Sequence, residues 1–164
     1  MKLTLLRHAK AVPALSGIDD HARPLNERGR RAAGQVGIET AGARPDLVLC
    51  STAARTRETW AILSQAWDLM PPALMEEALY LAEPEALLRR LRRLSPDVGH
   101  VWLIGHNPGL HDLANRLAQT ADGIGPVGNF PTAARARIEF DGAGWNELGH
   151  VPVRWLDLCT PERD

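Results

Sequence analysis

Metal-binding, disulfide and membrane signatures are all scarce in this chain. Its 164 residues include only two cysteines, Cys50 and Cys159, with no CxxC pair. A cysteine-based zinc site is not expected, and the two thiols suit a reducing compartment. An excess of charge of one sign is missing too: 19 basic and 20 acidic side chains leave a formal net charge of -1. That balance offers no basic field to nucleic acid or to an anionic membrane, so neither is an expected partner. Any anion site must be a local cluster of arginine and histidine. No stretch approaches the ~20 apolar residues of a membrane span. The run before Arg7 is too short for the apolar centre of a signal peptide, and a cytoplasmic location is expected. There is no GxxxxGK[S/T] loop and no strand-linked GxGxxG, so no nucleotide cofactor is expected.

What the chain does have is an alternation of short apolar runs and amphipathic stretches. With 45% hydrophobic and 24% charged residues, it is expected to form one domain over residues 1–164 around one core. Leu3 to Leu6 reads as a buried strand. Asn26 reads as the N-cap of a helix to about Thr40, with Gly42 just past its end. Asp46 to Cys50 is a second strand. A helix follows from about Arg55 to Trp67, with Ile62, Leu63, Ala66 and Trp67 on one face. Pro71-Pro72 breaks the chain, and the stretch to Ala82 reads as irregular.

Pro84 suits the first position of the next helix, whose apolar stripe is Leu87, Leu88, Leu91 and Leu94. Arg89, Arg90, Arg92 and Arg93 lie mostly off that stripe. With Glu83 and Glu85 nearby and no interleaved aromatics, they read as a solvated face, not a nucleic-acid patch. Val101 to Gly105 is a third strand. Asn107-Pro108 has the form of an N-cap and first-turn proline before a helix marked by Leu110, Leu113, Ala114 and Leu117. Thr120 to Pro131 reads as a loop. Ala136 to Phe140 and Val151 to Leu158 read as strands, with a turn at Asp141-Gly142. This order predicts an α/β three-layer sandwich: a mainly parallel sheet, helices on both faces and an antiparallel hairpin at one edge.

Three of these strands end in groups that can do chemistry. The first ends in Arg7-His8, the second at Cys50 with Arg55 shortly after, and the third in Gly105-His106. Parallel strands bring all three ends to one edge, where open α/β sheets bind ligands. Two arginines and two histidines suit a phosphoryl group. Arginine offers a planar fork of donors that matches phosphate oxygens and stays charged. A neutral imidazole can attack phosphorus and split one hard step into two. The helix after Pro108 is expected to add amide donors. No carboxylate cluster closes the strands, as a magnesium-dependent phosphatase would need. His106, His111 and Asp112 lack the spacing of a His-Glu-x-x-His site, and no metal is expected. His21, His100 and His150 read as structural or exposed.

Leu5-Leu6-Arg7-His8-Ala9, the segment Cys50 to Thr59 and Gly105-His106-Asn107-Pro108 resemble the three motifs of the histidine phosphatase superfamily. Arg23-Pro24-Leu25-Asn26-Glu27-Arg28-Gly29 is similar to a fourth segment of that family. The short chain and the Arg-His-Ala variant look most like its phosphohistidine phosphatase SixA branch. The resemblance implies that His8 is the nucleophile, and that Arg7, Arg55 and His106 bind and neutralise the phosphoryl group. It also implies that Arg23 contributes to substrate binding, while Asn107 reads as a helix cap only. Ala9 replaces the wider family's glycine, which is tolerated if its φ is negative.

Many members of the family protonate the leaving oxygen with an acid from between the second and third motifs. Glu76, Glu77 and Glu83 are the candidates here, with Glu77 the candidate general acid. Nothing fixes the geometry of any of them, which leans toward a phosphohistidine substrate with its labile P–N bond. The resemblance implies a cofactor-independent phosphatase. Its expected partner is a phosphorylated protein carrying phosphohistidine. The alternatives are a small phosphate ester, or a phospho-ligand binding module without turnover.

Overall fold

A computed structural model describes residues 1–14 and 17–161. Six strands form one sheet: β1 (Lys2–Arg7), β2 (Leu47–Ser51), β3 (Ala73–Glu76), β4 (His100–Gly105), β5 (Arg135–Phe140) and β6 (Val153–Cys159), in the order β3-β2-β4-β1-β5-β6. The first four are mutually parallel, and β5 runs antiparallel to both β1 and β6. Among the described residues, four α-helices cover it: α1 (Glu27–Thr40), α2 (Ala54–Leu63), α3 (Pro84–Arg92) and α4 (Gly109–Ala118). The fold is therefore the predicted three-layer α/β sandwich with an antiparallel edge pair.

Period-two alternation splits each inner strand between two cores. Leu3, Leu5, Leu49, Val101 and Leu103 pack under α3 and α4 with Leu87, Leu91, Leu110 and Leu113. Leu6, Val48, Cys50, Trp102 and Ile104 point the other way and pack under α1 and α2 with Ala33, Val36, Trp60 and Leu63. Strands buried on both faces read as continuous apolar runs, which is why these were legible.

Six local expectations are corrected. The stretch after Pro71-Pro72 is not wholly irregular. It holds the short edge strand β3, paired to β2 with Ser51 opposite Glu76, and then a 3-10 turn at Glu77–Leu79. Leu74 and Met75 of β3 are exposed, so a buried-run pattern could not reveal it. Helix α2 stops at Leu63, and a 3-10 turn at Ser64–Ala66 carries the chain on to Trp67. Gly42 does not adopt the left-handed conformation of a C′ glycine.

Asn107 does not cap α4, which begins at Gly109. Its side chain instead donates to the Phe130 carbonyl at 2.9 Å, and the Asn107–Pro108 peptide is cis. The β5–β6 connection is no two-residue turn, since it includes a 3-10 turn at Trp145–Glu147 with Trp145 fully buried. On α3, Arg89 and Arg93 are exposed as expected. Arg90 instead holds Glu76, and Arg92 donates to the Leu148 carbonyl at 2.9 Å.

Candidate active site

Strand order decides where the chemistry sits. The chain leaves β1, builds β2 and β3 to one side, then returns to insert β4 between β2 and β1. Arg7 pairs with Gly105 at the carboxyl ends of β1 and β4, so His8 and His106 emerge side by side. Their ring centroids are 5.3 Å apart. Arg55 comes from the first turn of α2, just beyond β2, and is only 2% exposed. Together with Arg7, Arg23 and Asp20 these residues line an open pocket of about 430 Å³.

The loop after β1 is held from several sides. His8 N–H donates to the Gly105 carbonyl at 3.1 Å and Ala9 N–H to Thr59 Oγ1 at 3.0 Å. Ala9 is fully buried and is not among the residues with positive φ, so its methyl group is accommodated. His8 Nδ1–H donates to the Ala9 carbonyl at 2.7 Å. That bond selects the tautomer in which Nε2 keeps its lone pair. Burial is the main cause that lowers the pKa of His8, to about 4, with Arg55, Arg7 and Arg23 adding to it against the Ala9 hydrogen bond. The imidazole is therefore neutral at neutral pH.

His106 has a complementary arrangement. Arginine can only donate, so His106 Nδ1 accepts from Arg55 Nη2 at 3.4 Å, and Nε2–H then donates to Ser51 Oγ at 2.8 Å. Burial, followed by the neighbouring His8 and Arg55, lowers its pKa to about 3. Arg7 donates from Nη1 to the Phe130 carbonyl at 2.9 Å. Arg7 Nε and Arg55 Nε are buried with no hydrogen-bond partner among the described residues. Orphaned buried donors are costly, and an oxyanion is the species that satisfies them.

Two residues, Asp20 in the pocket and Tyr80 behind it, escaped the sequence reading. Asp20 accepts from Arg23 Nε at 2.8 Å, from Arg55 Nη2 at 3.0 Å and from Tyr80 Oη–H at 2.6 Å. The Tyr80 hydrogen bond, then those from Arg23 and Arg55, hold its carboxyl well below the usual carboxylate range. Tyr80 packs edge-on against His106 at 5.3 Å and against His21 at 4.8 Å. Asp20 stands three residues before Arg23 in the same segment, a spacing that could have signalled the pair. Tyr80 had no such signal, since it lies beyond the β3 edge strand that itself went unread.

The candidate acids from between the second and third motifs are elsewhere. Glu76 is bound by Arg90 through three hydrogen bonds at 2.6, 2.8 and 3.1 Å. Glu77 is exposed in its 3-10 turn and does not line the pocket, and exposed Glu83 directly precedes α3. His111 donates to the Val127 carbonyl and stacks on Phe130.

Residues 3–79 match the profile of the histidine phosphatase superfamily (branch 1). An uncharacterized protein of Mycobacterium tuberculosis is 35% identical over 144 residues, which cover 84% of this chain and 88% of that protein. The chain belongs to the histidine phosphatase superfamily. Solved relatives of this histidine phosphatase include a protein named for the phosphohistidine phosphatase SixA from Agrobacterium tumefaciens. It is 30% identical with a TM-score of 0.79 and 98% of each chain covered. Another of that name, from Nakamurella multipartitia, is 28% identical with a TM-score of 0.84, covering 98% of this chain and 95% of that one. A histidine-nucleophile phosphatase thus has here a sheet edge carrying a neutral, oriented imidazole among guanidinium groups. Among the described residues, no helix is long and apolar enough to cross a membrane.

Proposed function

We propose that this phosphatase removes the phosphoryl group from phosphohistidine on a protein, with His8 as the nucleophile. The observation that carries the reading is the state of the pocket's acid. The described lining holds four cations, Arg7, Lys10, Arg23 and Arg55, against one carboxylate, Asp20. Tyr80, Arg23 and Arg55 keep that carboxylate ionised. An ionised carboxylate cannot protonate a leaving alkoxide, which a phosphate ester needs. A phosphohistidine substrate needs less help, because its leaving imidazole takes a solvent proton on the ring nitrogen that bears no phosphorus.

In the first step, Nε2 of His8 attacks phosphorus and the P–N bond of the substrate breaks. The substrate imidazole leaves neutral and the phosphoryl group stays on His8. In the second, water attacks phosphorus, the new P–N bond breaks, and Nε2 recovers its lone pair as phosphate departs. Arg7, Arg23 and Arg55 neutralise the equatorial oxygens, where charge is spread in both steps. His106, held by Ser51, supplies the neighbouring polar wall.

The test uses a protein phosphorylated on histidine with labelled phosphate, alongside small phosphate esters. Faster turnover of the phosphoprotein, with transient label on His8 that is lost in His8→Ala, is the expected result. Efficient ester hydrolysis with the phosphoprotein left intact would assign the enzyme to small molecules instead.

A further inference from the structure

A second cleft, of about 840 Å³, adjoins the pocket and shares Lys10 and Thr132 with it. One wall is the exposed face of α1, where Arg28, Arg31 and Gln35 follow at spacings of three and four. This wall stands beside the pocket for a specific reason. Asn26 N–H donates to the Lys10 carbonyl at 3.0 Å, and a Cβ at Gly29 would overlap that same carbonyl oxygen. The first turns of α1 are thus seated on the loop that follows His8.

Lys10, Arg28 and Arg31 are exposed and, among the described residues, have no carboxylate within ion-pair distance. The cleft's own carboxylate, Glu39, lies roughly 15 Å further along the helix axis and is bound to Arg135 at 2.6 Å. Positive charge is therefore concentrated at the end that meets the pocket. Arg28 and Arg31 stand along an exposed helix face with Lys10 on the adjoining loop, and the three do not converge on one buried point. That layout suits a row of carboxylates on a polypeptide better than a compact polyphosphate.

We infer that this cleft docks an acidic stretch of the protein that presents the phosphohistidine. The inference rests on the proposed function and adds how the substrate is chosen. Two turns of α1 cover ~10 Å, so acidic residues within roughly three positions of the phosphohistidine on an extended segment meet Arg28 and Arg31. Rim charges of this kind act mainly on encounter and are screened by salt.

The experiment uses the full chain and two chemically phosphorylated peptides with one central phosphohistidine. One peptide has glutamates at the three positions on each side, the other glutamines, and free phosphohistidine is the third substrate. The wild-type enzyme is expected to favour the acidic peptide about tenfold in kcat/KM at low salt, with the preference lost at high salt. Arg28→Glu with Arg31→Glu is expected to abolish or invert the preference while leaving free phosphohistidine turnover unchanged. Equal turnover of the two peptides by the wild type overturns the docking surface and leaves the proposed function standing. Turnover of free phosphohistidine or esters with neither peptide hydrolysed overturns both.

Discussion

At the scale of single residues, the site turns on hydrogen bonds that choose tautomers. The Ala9 carbonyl accepts from His8 Nδ1–H, and Ser51 Oγ accepts from His106 Nε2–H, so the two adjacent rings present different nitrogens. The pKa values follow from burial first and from the arginines second. As the proposed nucleophile, His8 must be deprotonated to attack. An unperturbed imidazole loses that ability below about pH 6.5, whereas His8 loses it only near 4. The expected acid limb of kcat/KM for the free enzyme therefore lies near pH 4, with activity retained at pH 5.5. A limb at the ordinary histidine value would show that His8 is solvated in solution. The arginines and histidines of the site were legible because their types and their positions after apolar runs are local facts. Asp20 was not singled out, because its meaning comes from Tyr80 and Arg55, 60 and 35 residues away.

At the scale of elements, α1 braces the loop that follows His8. Its start was readable: Asn26 accepts from Gly29 N–H at 2.8 Å, as an N-cap does. Its end at Thr40 was readable too, although the cap is Ala41 in a right-handed conformation and Gly42 plays no part as a C′ residue. Asn26→Ala is expected to cost about 1 kcal/mol. Gly29→Ala is expected to cost about 1–3 kcal/mol, because the added methyl group forces α1 off the Lys10 carbonyl. Denaturant unfolding of both variants checks this. A Gly29→Ala protein as stable as the wild type would mean that α1 is free to shift, and with it the wall of the larger cleft. The edge strand β3 marks the limit of pattern reading. Four residues with two exposed apolar side chains have neither a buried run nor clean alternation, so pairing to β2 alone makes them a strand.

At the scale of the whole molecule, the fold holds two imidazoles neutral where water would let them charge. Unfolding releases them to ordinary values near 6.5, so the unfolded chain binds more protons below that pH. The stability they contribute is complete above pH 6.5 and is lost as pH falls toward about 4 for His8 and about 3 for His106. Each group adds up to about 1.4 kcal/mol per pH unit within its window. The lowered carboxyl of Asp20 acts in the same direction at still lower pH. Thermal or urea unfolding from pH 7.5 to 4.5 is expected to show a steep decline that flattens when His106 is replaced by Gln. A flat profile in the wild type would refute the burial of these rings in solution.

By itself, the sequence determined the layers and the reactive groups. Apolar runs of strand length, an N-cap followed by a helix, and Arg-His, Arg and His after three strands are all encoded within a few residues of one another. The tertiary structure alone decided which of these meet. Inserting β4 between β2 and β1 brings His106 beside His8, 98 residues away in the chain. Seating α1 on the loop after β1 sets a basic cleft against the pocket. Burial then sets protonation, because desolvation depends on everything packed around a group and not on its neighbours in sequence.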